Sequence, residues 1–355
     1  MAKIKIAVLF GGISKDHSVS LQSAYSVLNT LSRGKYEIMP IGITRSGRWL
    51  YFPGSYEEIP DGSWENNPDC CSAVISPDAI HHGILKYLEN DEISLQRVDL
   101  IFSVMHGKFG ECGRIQSLCK LAGIPFLGSN PEASAACLDR IQTHLLLDKA
   151  EIKTSDYYYF ERNSISELEQ EIEKMEQKLE YPLFVKAASC SSSIGANVAN
   201  NREELIAALK IAFSHHHKAI AEQSIKGRDV FCIVYENEGK VNASVLGEAV
   251  VNNSVVDSTN NYISRSSSLI IPALIEDSLA EKIKKTAIKA FNVLGCAGFA
   301  RVDMNVCGDE VYCAKVATMS GFTEECVLAK LMEKSGFDFA EVLDILISNS
   351  CDNKI

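Results

Sequence analysis

Two apolar runs, residues 4–10 and 98–105, each stop at a glycine-bearing turn, Gly11-Gly12 after the first and His106-Gly107 after the second. Short uninterrupted apolar runs of this kind suit strands buried on both faces of a parallel sheet. Such sheets collect ligands at the carboxyl ends of their strands, where both turns fall. Ser14 or Asp16 can cap a helix beginning near Val19. A further strand over 36–43 leads to the turn Arg45-Ser46-Gly47, and a helix over 114–122 precedes a short strand over 124–127. Strands alternating with helices predict an α/β fold with a parallel sheet.

With 355 residues the chain exceeds one compact core and suits two or three domains of about 100–150 residues each. The net charge is −11 and no basic block stands out, which argues against a nucleic-acid partner. The apolar run at 4–10 is shorter than a signal-peptide core or a membrane span, so a cytoplasmic protein with no membrane association is expected. Twelve cysteines are scattered through apolar segments without a CxxC pair. In a reducing compartment they read as small buried hydrophobes.

From about Asp139 the texture changes. A helix over 141–150, a Tyr-rich strand over 157–160 and a polar helix over 166–179 precede YPLFVKAASCSSSIGANVA, which reads as a hairpin with a Ser/Gly loop. Several strands follow, with a turn at Asn237-Glu238-Gly239. The polar stretch 250–268 is too long for a passive connection and reads as a lid or binding loop. A helix over 277–294, strands over 298–306 and 310–316, and a helix after Asp338 complete the chain. His215-His216-His217 reads as a solvated turn, because three consecutive side chains cannot converge on one ion.

Three features could carry chemistry, each with a plain alternative. Lys186, followed by Ser191-Ser192-Ser193-Ile194-Gly195, suits a cover for phosphates, with a cation and backbone N–H donors; it also suits an inert hairpin loop. Glu222-Gln223-Ser224-Ile225 could read an adenine edge with its backbone while the acid accepts ribose hydroxyls; it could equally be an exposed strand end. Arg301 and Asp303 on one apolar strand are either a structural ion pair or part of a site.

In order and spacing, several long segments resemble the D-alanine–D-alanine ligases of the ATP-grasp superfamily. The segments are LFGGISKDHSVSLQSA, HGKFGECGRIQSLCKLAGIPFLGS, YPLFVKAASCSSSIG, AEQSIKGRDV, NNYISRSSSLIIPA, GFARVDMNV and TMSGFT. Within that family the chain is most similar to the D-alanine–D-serine ligases of vancomycin-resistance clusters. The resemblance implies an N-terminal parallel-sheet substrate domain (1–128) and a two-part ATP-grasp fold, central (129–220) and C-terminal (221–355), with the lid over 250–268. It also implies a homodimer, and ATP-dependent joining of D-alanine to D-alanine or D-serine through an acyl phosphate. Asp16 stands where the family has a Glu holding the first amino group, and Ser192 and Tyr262 match the residues that link to that acid across the closed lid. His106 and Gly107 match the substrate-side His-Gly, and Arg301 the Arg that stabilises the oxyanion. Lys186 and Glu222 match ATP contacts, joined by Ser193, Gln223, Ile225 and Asp229. Arg140 replaces a phosphate-contacting Lys, and Asp303 matches the first magnesium ligand.

The chain departs from the pattern where that chemistry is centred. The family's Asn-Glu-x-Asn-Thr appears as Ala314-Lys315-Val316-Ala317-Thr318, so Lys315 and Ala317 stand at two lost magnesium-ligand positions. Magnesium needs octahedral oxygen ligands, which neither residue supplies. At 4 Å and an effective dielectric near 20, unit charges interact by about 4 kcal/mol, and a divalent ion facing an ammonium meets roughly twice that repulsion. Asn261 replaces the lid Lys, Ser191 the glycine opening the phosphate loop, Cys112 the Asp of Glu-Asp-Gly, Ser320-Gly321 the Pro-Gly turn and Cys326 a substrate-binding Ser. These changes imply a ligase impaired at its metal site or an inactive nucleotide-binding protein on the same fold. Lys315 paired with Asp303 would place an ammonium where the ion belongs.

Overall fold

The computed structural model describes residues 3–88, 92–162, 165–189, 196–251 and 267–352. The run at 4–10 is the middle of the first sheet. It forms β1 (Ile4–Gly11), followed by α1 (His17–Thr30), β2 (Tyr36–Ile43), β3 (Trp49–Tyr51), β4 (Cys71–Ile75), β5 (Gly83–Tyr87), β6 (Ile93–Arg97) and β7 (Leu100–Ser103). The strand order is β6-β5-β4-β3-β2-β1-β7. Only β2-β1-β7 is parallel; β3 to β6 extend the sheet antiparallel, so it is mixed rather than wholly parallel. The short strand expected over 124–127 is a single parallel bridge from Phe126 to Ile101. Asp16 does occupy the α1 N-cap, but no side-chain hydrogen bond caps that helix.

After β7 come α2 (Lys108–Glu111), α3 (Arg114–Leu121), α4 (Pro131–Leu138) and α5 (Arg140–Lys149). Asn130 caps α4 by accepting from Ala133 N, and Asp139 caps α5 by accepting from Ile141 and Gln142 N. The second sheet contains β8 (Tyr157–Glu161), β9 (Leu183–Ala187), β10 (Asn197–Ala199) and β11 (Lys218–Gln223), with α6 (Ile165–Glu176) and α7 (Arg202–His215) packed on it. All its pairings are antiparallel, and β9 with β10 forms the hairpin expected around Lys186. The boundary expected at 220/221 falls within β11.

The third sheet holds β12 (Arg228–Asn237), β13 (Lys240–Ala243), β14 (Gly247–Val251), β15 (Ser267–Ile270), β16 (Phe299–Cys307) and β17 (Glu310–Ala317). On one face lies α8 (Asp277–Val293), whose Ile283, Ala287 and Phe291 bury against Val302, Met304 and Val306. Helices α9 (Val327–Lys334) and α10 (Phe339–Asp352) join β12 to the first sheet in one continuous core. Phe322 is fully buried there, with its ring 5.1 Å from Phe102 of β7 and 5.4 Å from Phe299 of β16, edge to face in both cases. A buried Phe contributes roughly 1.5–3 kcal/mol, so this ring fastens the loop bearing Gly321 to both sheets. Among the described residues the cysteines are unbridged, as expected. Among them too, no helix is long and apolar enough to cross a membrane.

Candidate functional site

The alternation of β16 sends Val302, Met304 and Val306 into the core and leaves Arg301, Asp303 and Asn305 on the opposite, partly open face. Register places Asp229 of β12 opposite Asn305, and Lys315 and Ala317 of β17 opposite Asp303 and Arg301. Five of the expected residues therefore share one face of one sheet. Arg301 and Asp303 form a forked ion pair, with Nε and Nη2 of Arg301 each 2.7 Å from the Asp303 carboxylate oxygens. The anticipated Lys315–Asp303 pair is absent. Arg301 already holds both oxygens, and Lys315 makes no ion pair within 4.0 Å among the described residues. Burial and the nearby Arg301 lower the Lys315 pKa, against the pull of Asp303 and Glu111. Asn305 Nδ2 donates to Asp229 at 2.5 Å, while burial and the Asp303 charge raise the Asp229 pKa.

The register slips beside this pair. Lys315 faces Asp303 and Cys313 faces Met304, which leaves Ala314 as the extra residue of a bulge. Its carbonyl is free of the ladder at that point and accepts from Arg140 Nη1 at 2.5 Å. Arg140 Nη2 reaches in the other direction, to Glu222 Oε1 at 2.6 Å. One guanidinium, placed by the capped first turn of α5, thus ties β11 to β17.

Glu222 is the hub of the second sheet's contribution. Besides Arg140 it accepts from His144 Nε2 at 2.6 Å and pairs through Oε2 with Lys186 of the neighbouring strand β9. Its side chain is only 6% exposed. Burial drives the Glu222 pKa up, but the charges of Arg140 and Lys186 and the bond from His144 outweigh it, holding the carboxyl well below its usual range. Burial, with Arg140 beside it, lowers the Lys186 ammonium to about 8. One sequence alternative for Glu222 therefore needs correction: it is not an exposed strand end, because it is buried and both its oxygens have side-chain partners. Gln223 is likewise engaged, accepting from Glu180 N at 2.9 Å and donating to Glu180 O at 2.8 Å. Ile225 follows β11 in the partly exposed connection to β12.

The first sheet supplies the third wall. His106, just past β7, is buried, and Ser23 Oγ lies 3.0 Å from its Nε2. Ser23 Oγ also accepts from Phe322 N at 3.4 Å, which connects His106 to the loop carrying Gly321. Burial lowers the His106 pKa to about 4, so the ring is neutral at pH 7. Gly107 has φ 79°, a conformation that favours glycine, and a Cβ there would lie 2.6 Å from Asp16 Oδ2, so a side chain would also push Asp16 aside. Its N–H donates to Glu111 Oε1 at 2.8 Å. Burial raises the pKa of Asp16 and of Glu111, the latter against the opposing charge of Lys315. Cys326, expected in the substrate pocket, caps α9, with Ala329 N 3.4 Å from its Sγ; Gly321 lies against its Cβ.

Ser191, Ser192, Ser193, Asn261 and Tyr262 lie outside the described residues. Sequence reasoning missed His144, one helical turn after Arg140 on α5; that four-residue spacing was the available signal. It also treated Glu111 only as part of a departed motif, and overlooked Ser23.

The donor set does not fit a magnesium ion. Asp303 has both oxygens on Arg301, an ammonium and a methyl side chain occupy the opposing positions, and among the described residues no group of three or more His, Cys, Asp or Glu could hold a metal. A mixed sheet followed by two antiparallel sheets linked at a cation-rich face defines an α/β protein of ATP-grasp architecture. Family profiles agree: "D-ala D-ala ligase N-terminus" matches residues 5–129 and "D-ala D-ala ligase C-terminus" residues 146–348. The chain is 38% identical over 356 residues to "D-alanine--D-alanine ligase B" of Clostridium tetani, covering 100% of this chain and 95% of that one. Its fold superposes on the VanG D-Ala:D-Ser ligase of Enterococcus faecalis with a TM-score of 0.90 at 35% identity, covering 98% of this chain and 99% of that one. The D-alanine-D-alanine ligase of Coxiella burnetii gives a TM-score of 0.85 at 28% identity, covering 100% and 95%. The chain belongs to the D-alanine–D-alanine ligase family, whose reaction is ATP-dependent.

Proposed function

We propose that this protein binds ATP together with D-alanine and D-alanine or D-serine, and forms the dipeptide for peptidoglycan precursors slowly compared with its relatives. The reaction of that class has two steps. The first amino acid's carboxylate takes the γ-phosphoryl group of ATP, releasing ADP. The amine of the second amino acid then attacks the acyl carbon, forming the peptide bond and releasing phosphate. Arg140 and Lys186 set two positive charges against the single carboxylate of Glu222, leaving a net cationic end suited to phosphates. Neutral His106 and glycine at 107 suit a substrate that approaches the backbone closely, with Asp16 beside them to receive its ammonium group. Ser192, from the loop after Lys186, and Tyr262, from the lid, are proposed to link to Asp16 over that substrate. The chain is proposed to act in the cytoplasm as a homodimer, divided near residues 128 and 220.

The observation that carries impairment is the Arg301–Asp303 pair facing Lys315 and Ala317, because it leaves no free oxygen donors there to hold a divalent ion, whose charge would neutralise a transferring phosphoryl group. Loss of such neutralisation costs several decades in rate. The test is phosphate release from ATP with D-alanine, with and without D-serine, in magnesium and in manganese, beside Lys315→Glu/Ala317→Asn. The double variant is expected to exceed the parent by about 100-fold or more. A parent as fast as the double variant defeats the impairment. A second reading, an inactive nucleotide-binding protein, rests on the same ion pair and predicts no release above background by the parent in either metal.

A further inference from the structure

The Lys315 side chain stands where two structural facts meet. It is opposite Asp303 in the β16–β17 ladder, and it adjoins the bulged Ala314 whose carbonyl anchors Arg140. The charges of Arg140, Lys186, Arg301 and Glu111 all lie within its electrostatic reach. Of the four cations Arg140, Lys186, Arg301 and Lys315, the first three have a carboxylate partner within 4.0 Å, and Lys315 has none among the described residues. A partly buried ammonium so placed retains its donors and its charge for an incoming anion.

Resting on the nucleotide-binding reading above, we infer that Lys315 is a tethered cation in place of a divalent ion, and that this site takes a nucleoside triphosphate free of metal. The ammonium brings one positive charge on a covalent stem, whereas a magnesium ion would bring two and would have to displace Arg301 to use the Asp303 carboxylate. Metal binding is therefore opposed twice, by the occupied acid and by the like charge across the ladder. Arg140, bonded to Glu222 and to the Ala314 carbonyl, ties the cations of the second sheet to the strand that carries Lys315.

The full-length protein is tested in two arms. In the first, ATP affinity is measured by titration calorimetry in EDTA and in excess magnesium. The expected dissociation constants agree within about threefold, and Lys315→Gln weakens the metal-free value by about tenfold. In the second, Mn2+ alone is titrated with protein and free ion is read by electron paramagnetic resonance. The parent leaves the free-ion signal unchanged, whereas Lys315→Glu/Ala317→Asn removes it and makes ATP binding metal-dependent. ATP binding by the parent that tightens about tenfold or more with magnesium, or Mn2+ bound by the parent, overturns the tethered cation and leaves the nucleotide site standing. Absence of ATP binding in both buffers instead removes the nucleotide reading itself, and this inference with it. Both parent measurements stand even where a variant fails to fold.

Discussion

At the second-sheet end of the cleft, a single carboxylate is shared by two cations and an imidazole, all of them largely buried. At the third-sheet end, a carboxylate that is 23% exposed is held by one guanidinium, and a further cation stands across the ladder unpaired among the described residues. The first arrangement is closed on itself: remove Glu222 and Arg140, His144 and Lys186 lose their common partner. The second tolerates change because magnesium ligands depend on the ion rather than on one another, and because Lys315 and Ala317 lie on the open face of β17, away from the Cys313 and Val316 core positions.

The largest expected effect tests that contrast directly. Glu222→Gln leaves two buried cations without a counter-charge and is expected to cost about 3–5 kcal/mol in urea denaturation at pH 7, with unchanged m-value. Asp303→Asn uncovers one partly exposed guanidinium and is expected to cost about 1–2 kcal/mol. Equal losses at the two positions would break the comparison, since Glu222 would then be no more of a hub than Asp303.

The sequence disclosed these two ends unequally, for physical reasons. The strand runs that carry Lys186, Arg301 and Asp303 are apolar and bounded by turns, so their existence and pairing could be read from pattern alone. The strands from Trp49–Tyr51 to Ile93–Arg97 could not: they are three to five residues long, and the last alternates exposed with half-buried side chains and lacks an apolar run. The Glu222 hub was misread for another reason. Local sequence shows an acid at a strand end, but its burial depends on Arg140 and His144, about 80 residues earlier, arriving on the same side. The Ala314 bulge is a matter of register between two strands, which composition does not encode. The resemblance to a family supplied the positions of Arg140 and Lys315 but not the two bonds that Arg140 makes.

Acid titration separates the regions by pH. The Glu222 carboxyl is held well below 4.5, so its stabilisation is complete above that value and is lost only as pH falls further. His106, on the first-sheet wall nearest the third-sheet end, behaves differently. Its folded pKa of about 4 lies below the 6.5 usual for a histidine, so the unfolded chain binds the proton first and stability drops as pH falls from 6.5 toward 4. Over that window the loss amounts to about 3 kcal/mol. Denaturation midpoints at pH 7 and pH 4.5 should therefore differ in the parent and differ less in His106→Gln. An undiminished drop in the variant would assign the acid sensitivity to other groups.

The smallest effect concerns a side chain that touches both ends. Arg140 reaches Glu222 with Nη2 and the bulged Ala314 carbonyl with Nη1, a fork that an ammonium on a single stem does not reproduce. Arg140→Lys keeps the charge beside Glu222 and gives up one of the two bonds, so it should cost about 1–2 kcal/mol. The informative quantity is the coupling. If Arg140 joins the two regions, Lys315→Gln should shift stability by a different amount in the Arg140→Lys background than in the parent, by about 0.5 kcal/mol or more in a double-mutant cycle. Strict additivity would mean that the Ala314 bond positions nothing beyond itself, and that the two ends of the cleft are neighbours rather than parts of one device.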